Sequence, residues 1–271
     1  MNQRELSDMR IIVCMKQVPD PSASSSGTKV DTEAKRVIPP QGTPPVLSPF
    51  DENALEAALK IKDGQGARIT VISAGRNLAK AVLRKTLAVG ADELILLEDN
   101  AFERLDSYAT AHLLAAAIKE AGEYDLILCG RQAADTDAGQ VGSGIAELLK
   151  IPCITAACKI EPAGGKVMVD RVVSDGIETV EAPMPALVTA SSEIGDLRYP
   201  SLKNVMAAQK MTITVRTGQD LGVDVSRLQR LNLVSLVPPA TRKSECRLIE
   251  GETPEAAGAN LALKMREAGL I

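Results

Sequence analysis

The stretch Asp125 to Pro152, DLILCGRQAADTDAGQVGSGIAELLKIP, constrains the fold more than any other part of the chain. Asp125–Cys129 is a short apolar run of strand type. Gly130 to Gly139 is a polar loop that holds Arg131, Asp135 and Asp137 between two glycines. From Gln140 onward the apolar residues Val141, Ile145, Leu148 and Leu149 recur at helical spacing. A strand, a polar turn and a helix in that order bring free backbone N–H groups, at a helix N-terminus, to the carboxyl end of a strand. An α/β sheet binds nucleotides there, and a phosphate is favoured there. Gly139, Gly142 and Gly144 would let a phosphate approach the backbone closely. The competing reading is an ordinary βα turn with a glycine-rich helix start. The spacing is neither GxGxxG nor a P-loop, because no Gly-Lys-Ser/Thr follows.

The same alternation runs through the first two thirds of the chain. Arg10–Met15 reads as a buried strand, followed by a long loop from Lys16 to Leu47 rich in Pro, Ser and Gly. Ser48-Pro49-Phe50-Asp51 opens a helix, with Ser48 as N-cap, Pro49 in the first helical position and Asp51 in the first turn. Arg68–Ser73 and Glu93–Leu97 are further strands, with a helix over Asn77–Val89 ending at Gly90 and another over Asp106–Ala121. Cys153–Lys159 and Ala186–Ser191 complete the strand set, with an antiparallel hairpin over Lys166–Val173 and Ile177–Glu181 between them. Strands alternating with helices imply an α/β fold, a doubly wound, mostly parallel sheet covered on both faces.

Composition narrows the chemistry. A net charge of −4 argues against a nucleic-acid binder, which needs a basic face, and two Phe, three Tyr and no Trp leave few surfaces on which bases could stack. No apolar run reaches membrane-spanning length and Met1–Met9 is polar, so the expectation is a cytoplasmic protein without a membrane span. The five cysteines show no CxxC spacing, and Cys14 and Cys129 fall inside strands, where free Cys is usually a small hydrophobe. His112 is the only histidine and lies in a helical run. A His-rich metal site is therefore impossible, and no catalytic or metal-ligating residue is assigned.

After Glu193 the pattern weakens. Pro200 to Lys210 reads as a short amphipathic helix, Asp220–Pro239 has little repeat, and Thr253–Gly269 is a final amphipathic helix. The chain thus divides into residues 1–192, an α/β domain, and residues 193–271, of mixed character. A segment of that kind can wrap around a partner; packing on its own domain is the alternative.

Taken together, these residues resemble the β subunit of electron-transfer flavoprotein, with the anaerobic and electron-bifurcating members nearest. The likeness runs from about Arg10 to the C-terminus. It rests on VCMKQVPDP (Val13–Pro21), SPFDENALEAALKIK (Ser48–Lys62), AVGADELILL (Ala88–Leu97), CGRQAADTDAGQVGSGIAELLKIP (Cys129–Pro152), SDGIETVEAPMPALVTA (Ser174–Ala190) and LRYPSLKNVMAAQK (Leu197–Lys210). The resemblance implies a heterodimer with an α subunit whose mobile domain carries a redox FAD. It also implies an adenine nucleotide in the β subunit: AMP in the respiratory type, a second FAD in the bifurcating type.

By the same resemblance the nucleotide lies against Met15 and Lys16, the turn Ser48, Pro49, Phe50 and Asp51, then Ala74, and the loop Gly130–Gly142 with Gln132, Asp135, Asp137, Gly139, Gln140 and Val141. Asp135 and Asp137 serve there as ribose or loop-ordering groups, with simple loop capping as the alternative. Phe50 stands where the family brings an aromatic near the flavin of α. Residues 193–271 become a recognition loop and an arm around α. Ser191–Lys210 matches the loop that docks acyl-CoA or related dehydrogenases, with Ile194 in the place of an exposed anchor and Arg198 and Tyr199 beside it.

Departures exist. Asp20-Pro21 stands where the bifurcating type has Asp-Thr, Ser48-Pro49 where Asn-Pro is usual, and Val172 where some respiratory members carry a glutamate. The implied function is electron transfer rather than bond-making, with NADH-dependent bifurcation if this subunit holds FAD. The alternatives are a stand-alone adenine-nucleotide sensor and an ATP-dependent adenylating domain. The latter needs a Ser-Gly-Gly-x-Asp-type loop after the first strand, and Lys16–Gly27 has none.

Overall fold

The computed structural model describes residues 9–23, 28–238 and 246–271. Its centre is a nine-stranded sheet. The strands are β1 (Arg10–Cys14), β6 (Arg68–Gly75), β7 (Glu93–Glu98), β8 (Leu126–Gly130), β9 (Cys153–Ala163), β10 (Lys166–Val173), β11 (Gly176–Pro183), β12 (Ala186–Ala190) and β13 (Thr214–Arg216). Their order is β11-β10-β9-β12-β8-β1-β6-β7-β13. All neighbours from β9 through β13 pair in parallel, and β9-β10-β11 form an antiparallel extension. The fold is the α/β class expected, with helices on both faces.

Two segregated cores explain the layering. On one face α1 (Pro49–Gln65) and α2 (Lys80–Val89) bury Leu55, Leu59, Leu83 and Leu87 against Ile11, Val13, Ile69 and Val71. On the other, α3 (Ser107–Ala121) and α4 (Gln140–Leu149) bury Leu113, Ile118 and Ile145 against Ile12, Ile72 and Ile127. The central strands are apolar on both faces, as a covered parallel sheet requires.

The connections place a switch point at the middle of the sheet. From β1 the chain steps by α1 to β6 and by α2 to β7, all on one side of β1. It then returns over α3 to β8, on the other side of β1. A crevice opens at the carboxyl ends of strands where the order reverses in this way.

Three sequence expectations change. The stretch from Lys16 to Leu47, read as loop throughout, contains two small antiparallel ribbons: β2 (Gln17–Pro19) with β5 (Pro45–Leu47), and β3 (Lys29–Asp31) with β4 (Arg36–Ile38). Each strand is three residues long, too short for a period to register in the sequence. Most of the serine-rich run Ser22–Gly27 lies outside the described residues. Strand β9, expected over Cys153–Lys159, runs on through Pro162 to Ala163, and the turn into β10 is Gly164 and Gly165. The segment after residue 192 begins by packing on the α/β body. Strand β13 joins the sheet beside β7, and Val225 enters the α3–α4 core. Beyond these, α5 (Leu202–Lys210) packs on α2, and α6 (Pro254–Glu267) buries no residue.

Candidate functional site

A cleft of about 590 Å³ lies at the switch point. Its floor is the carboxyl ends of β1, β6 and β8, represented by Cys14, Met15, Ala74, Cys129 and Gly130. One wall is the loop after β8 and the start of α4, with Gln132, Asp135, Gly139, Val141 and Gly142. The other is the N-terminus of α3, with Asp106, Ser107 and Thr110.

The two helix starts differ. Asp106 caps α3, its carboxylate accepting the Ala109 N–H at 2.8 Å, so the positive end of α3 is already partnered by an anion. The N-cap of α4 is Gly139, which has no side-chain oxygen to offer. The first-turn N–H groups of α4 therefore remain available to an anion in the cleft. Gln140 does not face the cleft; its side-chain oxygen accepts the Ser107 hydroxyl at 3.2 Å and ties the two helix starts together.

Two ion pairs cross the rim. Lys16 Nζ meets Asp135 at 2.6 Å, joining the end of β1 to the loop after β8. Arg76 meets Glu103 at 2.6 Å on the opposite side. Both cations line the cleft and would face a phosphate entering it. Asp137 lies behind the loop, outside the cleft lining. Its backbone is left-handed (φ 54°) and its carboxylate accepts the Gln132 amide at 2.8 Å, which orders the loop.

Asp51 ties the floor together. Its side chain is 7 % exposed, and its two oxygens accept the N–H of Lys16 at 2.7 Å and of Gly130 at 3.0 Å. Burial pushes the carboxyl up to about 7, against the pull of those two hydrogen bonds and of the Lys16 charge. Gly130 is glycine for a steric reason, since a Cβ there would lie 2.5 Å from Asp51 Oδ1.

Two other glycines have close neighbours in the fold. A Cβ on Gly142 would meet Thr189 at 2.9 Å, and one on Gly144 would meet Ala111 at 3.0 Å. Their small size lets α4 seat on the sheet and on α3; Gly142 also lines the cleft, whereas Gly144 does not. Ser48 occupies the N-cap of α1 as expected, but its side chain makes no cap hydrogen bond; its main chain holds the site, donating to Lys16 O at 2.9 Å. Ser48, Pro49 and Phe50 lie outside the cleft lining. The Phe50 ring is half-buried beneath Arg131, whose guanidinium carbon is 4.9 Å from the ring centroid.

Ile194, expected as an exposed anchor, is 6 % exposed and belongs to the α1-side core. The reason is local: Lys60 and Asn53 of α1 donate to the carbonyls of Ile194 and Gly195 at 2.6 and 2.7 Å and hold the turn inward. Arg198 is likewise turned onto α1, towards Glu56 and Asp63. Tyr199 is 94 % exposed. Sequence reasoning missed Asp106, Ser107 and Thr110; the signal for them was a capping Asp-Ser pair following a strand, the same arrangement that drew attention to residues 125–152. Among the described residues no cluster of His, Cys, Asp and Glu could hold a metal ion, and no helix is long and apolar enough to cross a membrane.

A doubly wound sheet with a cleft at its switch point and an uncapped helix start defines a doubly wound α/β protein with an open crevice at the carboxyl ends of its strands. Residues 36–221 match the electron transfer flavoprotein domain family. The chain is 44 % identical over 221 residues, 81 % of its length and 83 % of the relative's, to an electron transfer flavoprotein subunit beta of Thermoanaerobacterium thermosaccharolyticum. It is 40 % identical over 271 residues to the Caffeyl-CoA reductase-Etf complex subunit CarD of Acetobacterium woodii, covering 97 % of this chain and all of that one. It is 33 % identical over 227 residues to the protein FixA of Azorhizobium caulinodans, covering 81 % and 79 %. The chain belongs to the electron-transfer flavoprotein β-subunit family, and its role is that of an electron-transfer flavoprotein component.

Proposed function

We propose that this chain pairs with an α subunit, holds an adenine nucleotide in the cleft between β1, β8 and α4, and presents a docking surface to acyl-CoA or related dehydrogenases. The observation that carries the nucleotide is the uncapped start of α4 opening into the switch-point cleft, flanked by Lys16 and Arg76. Free N–H groups and two cations suit phosphate oxygens. The volume, about 590 Å³, lies well inside the range of sites that enclose whole organic ligands, about 300–1,000 Å³, and is generous for a mononucleotide. Together with the KQVPD and CGRQAADTDAGQVG stretches, this favours FAD over AMP.

A bound flavin would supply the redox chemistry. The chain's own residues bind and orient it: α4 and Lys16 take the phosphates, Ser107 and Thr110 offer hydroxyls on the facing wall, and the apolar floor excludes water. With FAD bound here, oxidation of NADH and bifurcation follow as the complex's activity. The chain performs no bond-making step itself, and its place is the cytoplasm.

The α partner is supported by the apolar surface of the C-terminal segment, where Leu231, Val234, Val237, Leu248 and Leu263 are all exposed. The dehydrogenase surface is supported by Tyr199 and, on α5, by Leu202 and Met206, which stand in solvent above a base that Ile194 and Arg198 fasten to α1.

The test is to denature the purified αβ complex and quantify released FAD and AMP per heterodimer. Two FAD and no AMP supports the flavin reading and directs attention to NADH oxidation. One FAD and one AMP supports a simple electron carrier. No nucleotide beyond the α flavin would overturn the cleft assignment.

A further inference from the structure

The backbone ladder between β1 and β8 pairs Ile11 with Leu126 through Cys14 with Cys129, and stops there. Lys16 lies two residues past that end and Gly130 one residue past it, both lining the cleft. Their N–H groups converge on one side chain, Asp51 of α1, at 2.7 and 3.0 Å. We infer that the Asp51 carboxylate is the clasp that sets the separation of these two strand ends, and hence the shape of the floor on which the nucleotide rests. It is a positioning residue, because each of its oxygens accepts a main-chain N–H of the floor and the carboxylate acts on the cleft through those two strand ends.

Three observations support the clasp. First, an ionised carboxylate accepts strongly at both oxygens, whereas a protonated one turns one oxygen into a donor and a much weaker acceptor, which loosens its hold on one of the two N–H groups. Second, Gly130 leaves out the Cβ that would displace Asp51 Oδ1, so the close approach is built in from both sides. Third, the surrounding charges favour its ionised form. The charge that does so is Lys16, just past the end of β1; Arg131, on the turn beyond β8, is stacked on the neighbouring Phe50. Cys129 on β8 has its thiol pushed well up by Cys14 and by burial, so it stays neutral and does not compete. On α1 itself, Glu52 pairs with Lys85 and Glu56 with Arg198. Burial opposes all of this and brings the carboxyl to about 7, so the clasp opens within an accessible pH range.

The consequence for ligand binding rests on the nucleotide reading of the cleft, and the experiment separates the two. Amide NMR spectra of the isotope-labelled full chain are recorded from pH 5.5 to 8.5, and affinities for AMP and for FAD are measured calorimetrically over the same range. In the native chain the Lys16 and Gly130 amides should titrate together with a midpoint near 7, and affinity should fall about threefold or more from pH 8 to pH 6. In Asp51→Asn, which offers one acceptor where there were two, both amides should be flat with pH. Affinity should be about tenfold lower at pH 8, the loss of one charge-assisted hydrogen bond, and independent of pH. The clasp is overturned if the native amides do not titrate, or if a folded Asp51→Asn keeps native affinity with the native pH profile. Titrating amides without binding of either nucleotide would uphold the clasp and overturn the nucleotide assignment. The native titration needs no variant, so the test stands even where Asp51→Asn fails to fold.

Discussion

Arg198 and Glu56 form a partly buried ion pair that pins the residues after β12 to helix α1. Two guanidinium nitrogens and the Arg198 backbone N–H reach the Glu56 carboxylate at 2.9 to 3.3 Å, and the third nitrogen reaches Asp63 at 2.7 Å. Glu56 is almost wholly enclosed while Arg198 is a third exposed. Removing the arginine strands a buried carboxylate, which typically costs 3–5 kcal/mol. Solvent reaching Arg198 lowers the expectation to about 2–3 kcal/mol for Arg198→Ala, to be read from the denaturant midpoint. Arg198→Ala with Glu56→Gln should recover part of that loss, because the stranded charge is gone.

Asp106 has two tasks at once. One oxygen caps α3 through Ala109, and the other accepts the backbone N–H of Arg230 and Leu231 at 2.6 and 2.8 Å. Partial burial raises its carboxyl, but those hydrogen bonds outweigh the effect and hold it below the ordinary value of 3.8. A lowered carboxyl contributes stability that is present above its unfolded value and lost as pH falls through its folded one. Asp106→Ala should cost about 1 kcal/mol from the cap and should speed amide exchange at Arg230 and Leu231, with residues in α1 unaffected.

Asp51 has the opposite sign. Its carboxyl is raised from 3.8 to about 7, so between those values the folded chain keeps a proton that the unfolded chain has released. The stability from this group is full below pH 3.8, declines as pH rises, and is gone above about 7. Asp51→Asn should therefore flatten the pH dependence of unfolding between pH 4 and 7 relative to the native chain, measured by denaturant titration at a series of pH values.

Gly130→Ala tests the packing of the floor without touching a charge. The added methyl would fall 2.5 Å from Asp51 and 2.6 Å from the Phe50 carbonyl carbon, the latter backbone that cannot swing away. Overpacking of this kind costs about 1–3 kcal/mol. We expect the upper end of that range, with a larger loss than for Gly139→Ala, whose nearest contact would be 3.1 Å. Thermal midpoints of the two variants decide it.

Tyr199 and Leu202 should behave as surface residues in the isolated chain and as contacts in the working complex. Both are largely exposed, at 94 and 77 %. Substituting either by Ser should shift stability by no more than about 0.5 kcal/mol, while the rate of electron transfer from a partner dehydrogenase should fall about tenfold or more for an anchoring contact. Unchanged transfer kinetics in both variants would remove this surface from the docking role.

Much of this was legible in the sequence, for physical reasons that differ by element. Strands such as β1 and β8 declare themselves because both faces are covered, leaving the runs IIVC and LILC unbroken by charged residues. The switch-point cleft was legible through one loop, because a polar turn between such a strand and a glycine-started helix sits at the carboxyl end of the sheet, where crevices open. The inward turn of Ile194 was not, because it depends on Asn53 and Lys60, which lie about 140 residues earlier in the chain. Nor could spacing separate the packing glycines Gly142 and Gly144 from glycines that a ligand requires, since close approach of a helix and close approach of a phosphate demand the same missing Cβ. Asp51 looked like one more residue in a ligand-contacting turn, and only its two main-chain partners show what its carboxylate holds.

The ninth strand also bears on how this protein avoids sticking to itself. Strand β13 covers the backbone of β7 at Ile95, Leu96 and Leu97, the last parallel strand on that side of the sheet. A fragment ending near Ser192 would keep helices α1 to α4 of the α/β body but would bare that apolar edge, a template on which a second copy could add a strand. The segment that follows the α/β body thus protects the sheet from unwanted company, and shortened versions of the chain should aggregate before they lose their fold.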